Sequence, residues 1–186
     1  MGGGDDQGLG SESERRQFVC PPARGRYQEI ELEYLDPADP DERRILLEAE
    51  HPELHRALRR RDDEVVVGGQ PINPRLHIAM HEIVANQLWD DDPPEAWETA
   101  QRLTALGYER HEVLHMLCSV VAREVWSVLG AGVPSDPARC VAALGELPDS
   151  YVALAEELGP RTASYSSSSS SGYCGGGTPS ASTSIG

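Results

Sequence analysis

Residues 73–131 read NPRLHIAMHEIVANQLWDDDPPEAWETAQRLTALGYERHEVLHMLCSVVAREVWSVLGA, and this segment carries the start and stop signals of three helices. Asn73-Pro74 and Asp92-Pro93 each join a helix-capping side chain to a proline, which the first helical turn tolerates. The pattern predicts helices over about 74–90, 93–106 and 109–129, with Gly107 ending the second. Because the turns between them are short, neighbouring helices should run antiparallel, so the first and third should be parallel.

The same start signal occurs on both sides of that segment, at Asp39-Pro40 and Asp136-Pro137. It predicts one or two helices over about 40–60 and one or two over about 137–158. The sequence EVVVGG at residues 64–69 fits either a short strand or an apolar loop, and residues 27–35 alternate enough to form an extended segment. The predicted fold class is therefore all-α, a small helical bundle.

The two ends of the chain differ in composition from its middle. Residues 1–20 are rich in glycine, serine and charge, and residues 160–186 are dominated by serine and glycine. Neither end carries enough apolar surface to offset the entropy lost on ordering. We expect disordered, flexible tails over 1–20 and 160–186, on either side of a helical domain over 21–159.

The charge balance argues against nucleic acid as a partner. Acidic residues outnumber lysine and arginine by 31 to 16, which gives a net charge of −15. A chain of this charge repels phosphate backbones. The one basic run, Arg59–Arg61, lies directly before acidic residues, as expected of a solvated helix end. The sequence leaves a homo-oligomer open.

Several features favour the cytoplasm. The N-terminus has no apolar segment of the kind that secretion signals contain. The longest apolar stretch, about 113–129, is interrupted by His115, Arg123 and Glu124, so we expect no membrane span. The four cysteines form no CxxC pair and are expected to be reduced thiols.

The histidines follow a single spacing rule. All six fall into pairs four residues apart, a spacing that places both rings on one helix face. The pairs are His51 and His55, His77 and His81, and His111 and His115. Parallel helices would bring the second and third pairs to the same level of the bundle. We therefore predict a metal site built from His77, His81, His111 and His115, with His51 and His55 as outer or second-site ligands. The alternative is that these histidines are ordinary packing or surface residues.

The identity of the metal follows from the ligand type. Imidazole binds several divalent first-row ions, and the histidine pattern includes no thiolate. The divalent cofactor expected here is zinc or iron.

The segment His111–His115 also matches HExxH, in which two histidines bind zinc and the glutamate activates water. Glu112 is thus the one candidate catalytic residue. Two observations argue against a zincin-type peptidase: no HxxGxxH extension follows, and Glu124 would lie about half a turn away from the histidine face.

Several motifs occur in an order that resembles the bacterial DUF1841 family, a family of unknown function. They are HPELH at 51–55, NPRLH at 73–77 with His81, Asp92-Pro93-Pro94, then His111, His115 and Trp126. The likeness covers about residues 40–130. It implies that the histidines belong together, and that Glu82 and Glu112 are not needed for the pattern. It implies no substrate.

The sequence leaves three classes of function open. The first is a metal-dependent enzyme, either a hydrolase or a di-metal oxidative enzyme. The second is a non-catalytic protein that binds or senses a metal. The third is a metal-free interaction module whose acidic surface engages a partner.

Overall fold

The computed structural model describes the backbone of residues 6–157 and the side chains of residues 12–153. Within that range the chain forms eight α-helices and two small hairpins, which confirms the all-α prediction. The helices are α1 (Asp6–Val19), α2 (Pro40–Ala49), α3 (His55–Arg60), α4 (Pro74–Asp90), α5 (Pro94–Ala105), α6 (Arg110–Ala131), α7 (Pro137–Gly145) and α8 (Asp149–Glu157). The predicted tail at residues 160–186 lies outside the described residues.

Three of the four predicted start signals form helix caps. Asp39, Asn73 and Asp136 each accept a backbone N–H from the first turn of α2, α4 and α7, with a proline at the start of the helix. The prediction for Asp92 is wrong: Pro93 is the N-cap residue and α5 begins at Pro94. The physical reason is that a residue before a proline is biased towards extended backbone, which keeps Pro93 out of the helix.

Helix α4 lies at the centre of the bundle, where it contacts α1, α2, α3, α5 and α6. Its contact with α6 makes the first and third of the helices predicted over 73–131 neighbours. Gly107 follows α5 with a positive φ of 96°, as predicted for the residue that ends this helix.

In both central helices, α4 and α6, the hydrophobic core lies on the C-terminal side of the histidines. Leu88 of α4, Leu103 of α5, Leu117 of α6 and Leu144 of α7 belong to one buried cluster. Full burial of a leucine side chain contributes about 1.5–3 kcal/mol. The histidine pairs occupy the first turns of α4 and α6, so the core supports them from one side and the end of the bundle lies on the other.

The tail expected over residues 1–20 overlaps helix α1, which covers Asp6–Val19. Its order comes from long-range contacts that local composition does not reveal. Arg15 donates hydrogen bonds to the Leu88 and Trp89 carbonyls at the end of α4. Arg110 in turn donates to the Phe18 and Val19 carbonyls at the end of α1. Tertiary contacts of this kind stabilise a helix whose own sequence is a poor helix former.

Both short extended segments are antiparallel hairpins. Strands β1 (Arg26–Tyr27) and β2 (Ile30–Glu31) pair first and lead into a 3-10 turn at Leu32–Tyr34. Strands β3 (Val65–Val67) and β4 (Gln70–Ile72) enclose Gly68 and Gly69, both with positive φ. The sequence allowed a strand or a loop at 64–69, and the structure has the strand, closed by the glycine turn.

Helix α6 is the one described helix whose length and hydropathy would suit a membrane span. In the structure it contacts α4, α5 and α7, so it packs as a helix of the domain core does. The cysteines described, Cys20, Cys118 and Cys140, are free thiols, as predicted.

Candidate metal centre

The two central helices bring four histidines together. The Asn73 side chain accepts the Leu76 N–H at 3.0 Å and fixes the start of α4, so His77 and His81 occupy its first two turns. His111 and His115 occupy the first two turns of α6. Because α4 packs against α6, the two pairs face one another at one end of the bundle. The rings of all four residues lie in one cluster, with neighbouring centroids 4.5–5.6 Å apart.

His51 lies in the middle of the cluster instead of at its edge. Helix α2 ends at Ala49, and His51 occupies the turn before α3 with none of its surface exposed. The following Pro52 disfavours helical backbone at His51, which breaks the helix there. The His51 Nδ1 atom lies 2.7 Å from the Leu47 carbonyl oxygen. Since that oxygen only accepts, Nδ1 carries the proton and Nε2 keeps its lone pair.

His55 points away from the cluster, so its predicted role as an outer ligand has no geometric support. Its Nε2 lies 2.9 Å from the Glu48 carbonyl oxygen, and its ring packs on Tyr27 with centroids 4.6 Å apart. His51 and His55 do not share a helix, because α3 begins only at His55. The spacing of four residues therefore does not place the rings of His51 and His55 on one helix face.

The five remaining rings form a defined pattern of contacts. His81 contacts each of the others, with ring centroids 4.5–5.6 Å apart. The other four form a closed circuit of neighbours, from His51 to His77, His115, His111 and back, at 4.5–5.3 Å. Five points with these eight contacts describe a square pyramid that has His81 at its apex.

One ring nitrogen from each of four histidines lies within 4.8 Å of those of the other three. The four residues are His51, His77, His81 and His115. Zinc bound tetrahedrally by imidazole needs nitrogens about 3.4 Å apart, from a metal–nitrogen distance of about 2.1 Å. Small rotations of the rings would close that difference.

Burial keeps four of these imidazoles, those of His77, His81, His111 and His115, neutral. It lowers the pKa of His77 and His111 to about 4 and that of His115 to about 3, with the neighbouring histidines as a further cause. The pKa of His81, which is 2% exposed, is lowered for the same reasons. At neutral pH the rings therefore have lone pairs available for a metal ion.

Within the part of the chain that the structure describes, the Nε2 atoms of His51, His77 and His81 are buried and have no hydrogen-bond partner. A buried polar atom left in this state costs about 1–3 kcal/mol. A single metal ion could bind all three Nε2 atoms at once and would remove this cost.

Three glutamates that are near the histidines in the sequence interact with other parts of the protein. The Glu112 charge contributes, after burial, to the raised pKa of Tyr151 in α8. Glu82 pairs with Arg44, and Glu124 forms hydrogen bonds of 2.7–3.0 Å with Arg139.

Glu53 is the carboxylate that sequence analysis missed. It is exposed, and its negative charge acts on both His77 and His111, partly opposing the fall in their pKa. The sequence did carry a signal for it, because Glu53 stands two residues after His51 in HPE at residues 51–53.

These features define a class: a helical-bundle protein with a buried cluster of imidazoles at one end of its two central helices. Residues 11–146 match the family described as a domain of unknown function, DUF1841. The chain belongs to this family, and the match extends beyond the region of 40–130 that the motifs suggested. No curated protein and no solved structure matches the chain.

Proposed function

We propose that this protein binds one divalent first-row metal ion, zinc or iron, through His51, His77, His81 and His115. The observation that carries this proposal is the convergence of four buried ring nitrogens within 4.8 Å of one another. Lowered pKa values support it, because neutral rings are the form that ligates.

The chemistry of the donors favours an ion that accepts imidazole. The thiol of Cys118, three residues after His115, has its pKa raised by burial to about 12, so it offers no thiolate at neutral pH. Four nitrogen donors suit zinc or iron, and they do not suit calcium or magnesium, which prefer oxygen.

A metal-dependent enzyme is the second candidate, and Glu53 is the observation that favours it. An exposed carboxylate beside two of the histidines could hold or move a proton at the edge of the metal site. A zincin-type peptidase is not favoured, since no HxxGxxH extension follows HExxH in the sequence.

The test is the metal content of the purified, untagged protein, measured by plasma mass spectrometry before and after incubation with zinc or with iron(II). The matched pair of variants is His81→Gln, which removes the central ring, and His55→Gln, which removes the histidine that points away. We expect near-stoichiometric metal in the parent protein and in His55→Gln, and loss of metal in His81→Gln. Failure of the parent protein to take up either ion, or equal metal content in both variants, would contradict the proposal.

A further inference from the structure

The four proposed ligands form a site that is closed to solvent. The group consists of His51, His77, His81 and His115, and the Nε2 atom of each of these residues is buried. An ion can therefore reach these atoms only if part of the protein moves. The element that moves sets how fast a metal enters and leaves the site.

The chain holds the four ligands in two different ways. His77 and His81 lie on α4, and His115 lies on α6. These two long helices pack against each other and contribute many of the side chains of the hydrophobic core. His51 lies instead in the turn between α2 and α3, residues 50–54, which we name the His51 turn.

The His51 turn is held by short-range hydrogen bonds. The N–H groups of His51 and Leu54 each donate to the carbonyl oxygen three residues earlier, at 3.1 and 2.9 Å. Pro52 and Glu53, which lie between them, are exposed. Segments with local hydrogen bonds and exposed residues open at a lower free-energy cost than helices packed in a core. Of the elements that carry the ligands, the turn is therefore the one that opens most readily.

An ion pair connects the His51 turn to the start of α6. The Arg110 guanidinium donates to the Glu50 carboxylate at 3.1 Å, and both side chains are 26% exposed. The same guanidinium donates to the Phe18 and Val19 carbonyl oxygens at the end of α1, which fixes its position. Because Glu50 directly precedes His51, the ion pair holds the turn against the histidine cluster.

We propose, building on the metal binding proposed above, that the His51 turn is the gate through which the metal enters and leaves, and that the Glu50–Arg110 ion pair keeps this gate closed. When the turn moves outwards, His51 leaves the cluster while the other three ligands stay on their helices. Glu50 and Arg110 are positioning residues that act on the metal through His51. They regulate the rate of metal exchange.

Loss of a gate contact and loss of a ligand have different effects on metal binding. The ion pair joins two protein groups, so its removal favours the open turn equally with and without a bound ion. Uptake and release then both become faster, and the affinity, which is the ratio of the two rates, stays the same. A partly exposed, charge-assisted hydrogen bond is strong enough to change each rate by about tenfold. Loss of a ligand would instead weaken the affinity.

The test measures both rates in the full-length protein with zinc as the probe, and iron(II) replaces zinc if zinc does not bind. Release is followed by mixing the loaded protein with an excess of a chromogenic chelator, and uptake by mixing the metal-free protein with the ion. In the parent protein we expect a release rate that does not change when the chelator concentration is raised about tenfold, because opening of the turn limits release.

Glu50→Gln should release and take up the ion about tenfold faster, with an affinity within about twofold of that of the parent protein. Glu82→Gln is the matched control. Glu82 also stands next to a ligand, His81, and pairs with Arg44 at 3.5 Å, but it lies on α4, which stays closed. Both of its rates should equal those of the parent protein.

The outcomes separate the gate from the proposed function. No uptake of either ion by the parent protein would overturn both. Uptake with the same exchange rates in Glu50→Gln, Glu82→Gln and the parent protein would overturn only the gate. Faster release at an unchanged uptake rate would also overturn it, because the affinity would then have fallen. If Glu50→Gln does not fold, the parent protein still decides: a release rate that rises in proportion to the chelator would mean that the chelator reaches the metal without opening, and would overturn the gate.

Discussion

The histidine cluster should make the metal-free protein acid-sensitive above the range in which carboxylates titrate. Four of its members, His77, His81, His111 and His115, have a pKa lowered by burial in the folded state. In the unfolded chain a histidine has a pKa of about 6.5. Between pH 6.5 and about 4 the unfolded chain therefore binds protons that the folded protein does not, and the free energy of unfolding falls as pH falls.

The magnitude follows from that difference. At pH 5.5, one unit below the unfolded value, each such histidine removes about 1.4 kcal/mol of stability. Four of them remove about 5.5 kcal/mol, which is comparable to the whole stability of many domains. The full contribution is present above pH 6.5. The loss from His77 and His111 ends near pH 4, where they are protonated in the folded state, and the loss from His81 and His115, whose pKa values are lower, continues below that pH.

The assay is urea unfolding followed by circular dichroism at pH 7.5 and pH 5.5, with a chelator present at both. We expect a much lower midpoint at pH 5.5 with an unchanged denaturant slope. His81→Gln removes one titrating ring, so its loss between the two pH values should be smaller by about a quarter. Equal stability of the parent protein at both pH values would refute the reasoning, because it would mean that the rings are as easily protonated in the folded state as in the unfolded one.

Four further outcomes can be checked by similar measurements. Leu88→Ala should cost about 2–5 kcal/mol in urea unfolding, because Leu88 is fully buried in the core. Asn73→Ala should cost about 1 kcal/mol, since it removes the cap of α4, and a change near zero would deny the cap. Arg15→Met should speed hydrogen exchange within α1 while α6 stays protected, because Arg15 ties α1 to the end of α4. His55→Gln should leave the thermal stabilisation by added zinc or iron unchanged, whereas the same loss of stabilisation as in His81→Gln would place His55 at the metal.

Local signals in the sequence were enough to predict most of the helices and four of the five clustered histidines. Capping residues and prolines locate α2, α4 and α7, and the spacing of His77, His81, His111 and His115 puts each pair on one helix face. These are properties of a few neighbouring residues, and they do not depend on the rest of the fold.

The parts that sequence reasoning missed depend on distant contacts or on two local rules in conflict. The spacing rule treated His51 and His55 alike, but Pro52 breaks the helix between them and sends one ring inwards and the other to Tyr27. Helix α1 looked too polar to be ordered because its main anchor, Arg15, contacts residues more than seventy positions away. The effect of the Glu53 charge on His77 and His111 depends on the turn at Pro52, which the spacing rule does not include.

The position of His51 in a turn has a consequence for how the chain is held together. His51 and His115 are separated by 64 residues, and neither is joined to the other by a continuous helix. An ion that binds both would act as a cross-link, as a disulfide does, and closing a loop of that length is worth about 4 kcal/mol on a chain-entropy estimate. Unlike a disulfide, such a link would be opened by a chelator or by acid and would be indifferent to reductants. The supply of metal, and not the redox state of the compartment, would then decide how tightly the first third of the domain is fastened to the rest.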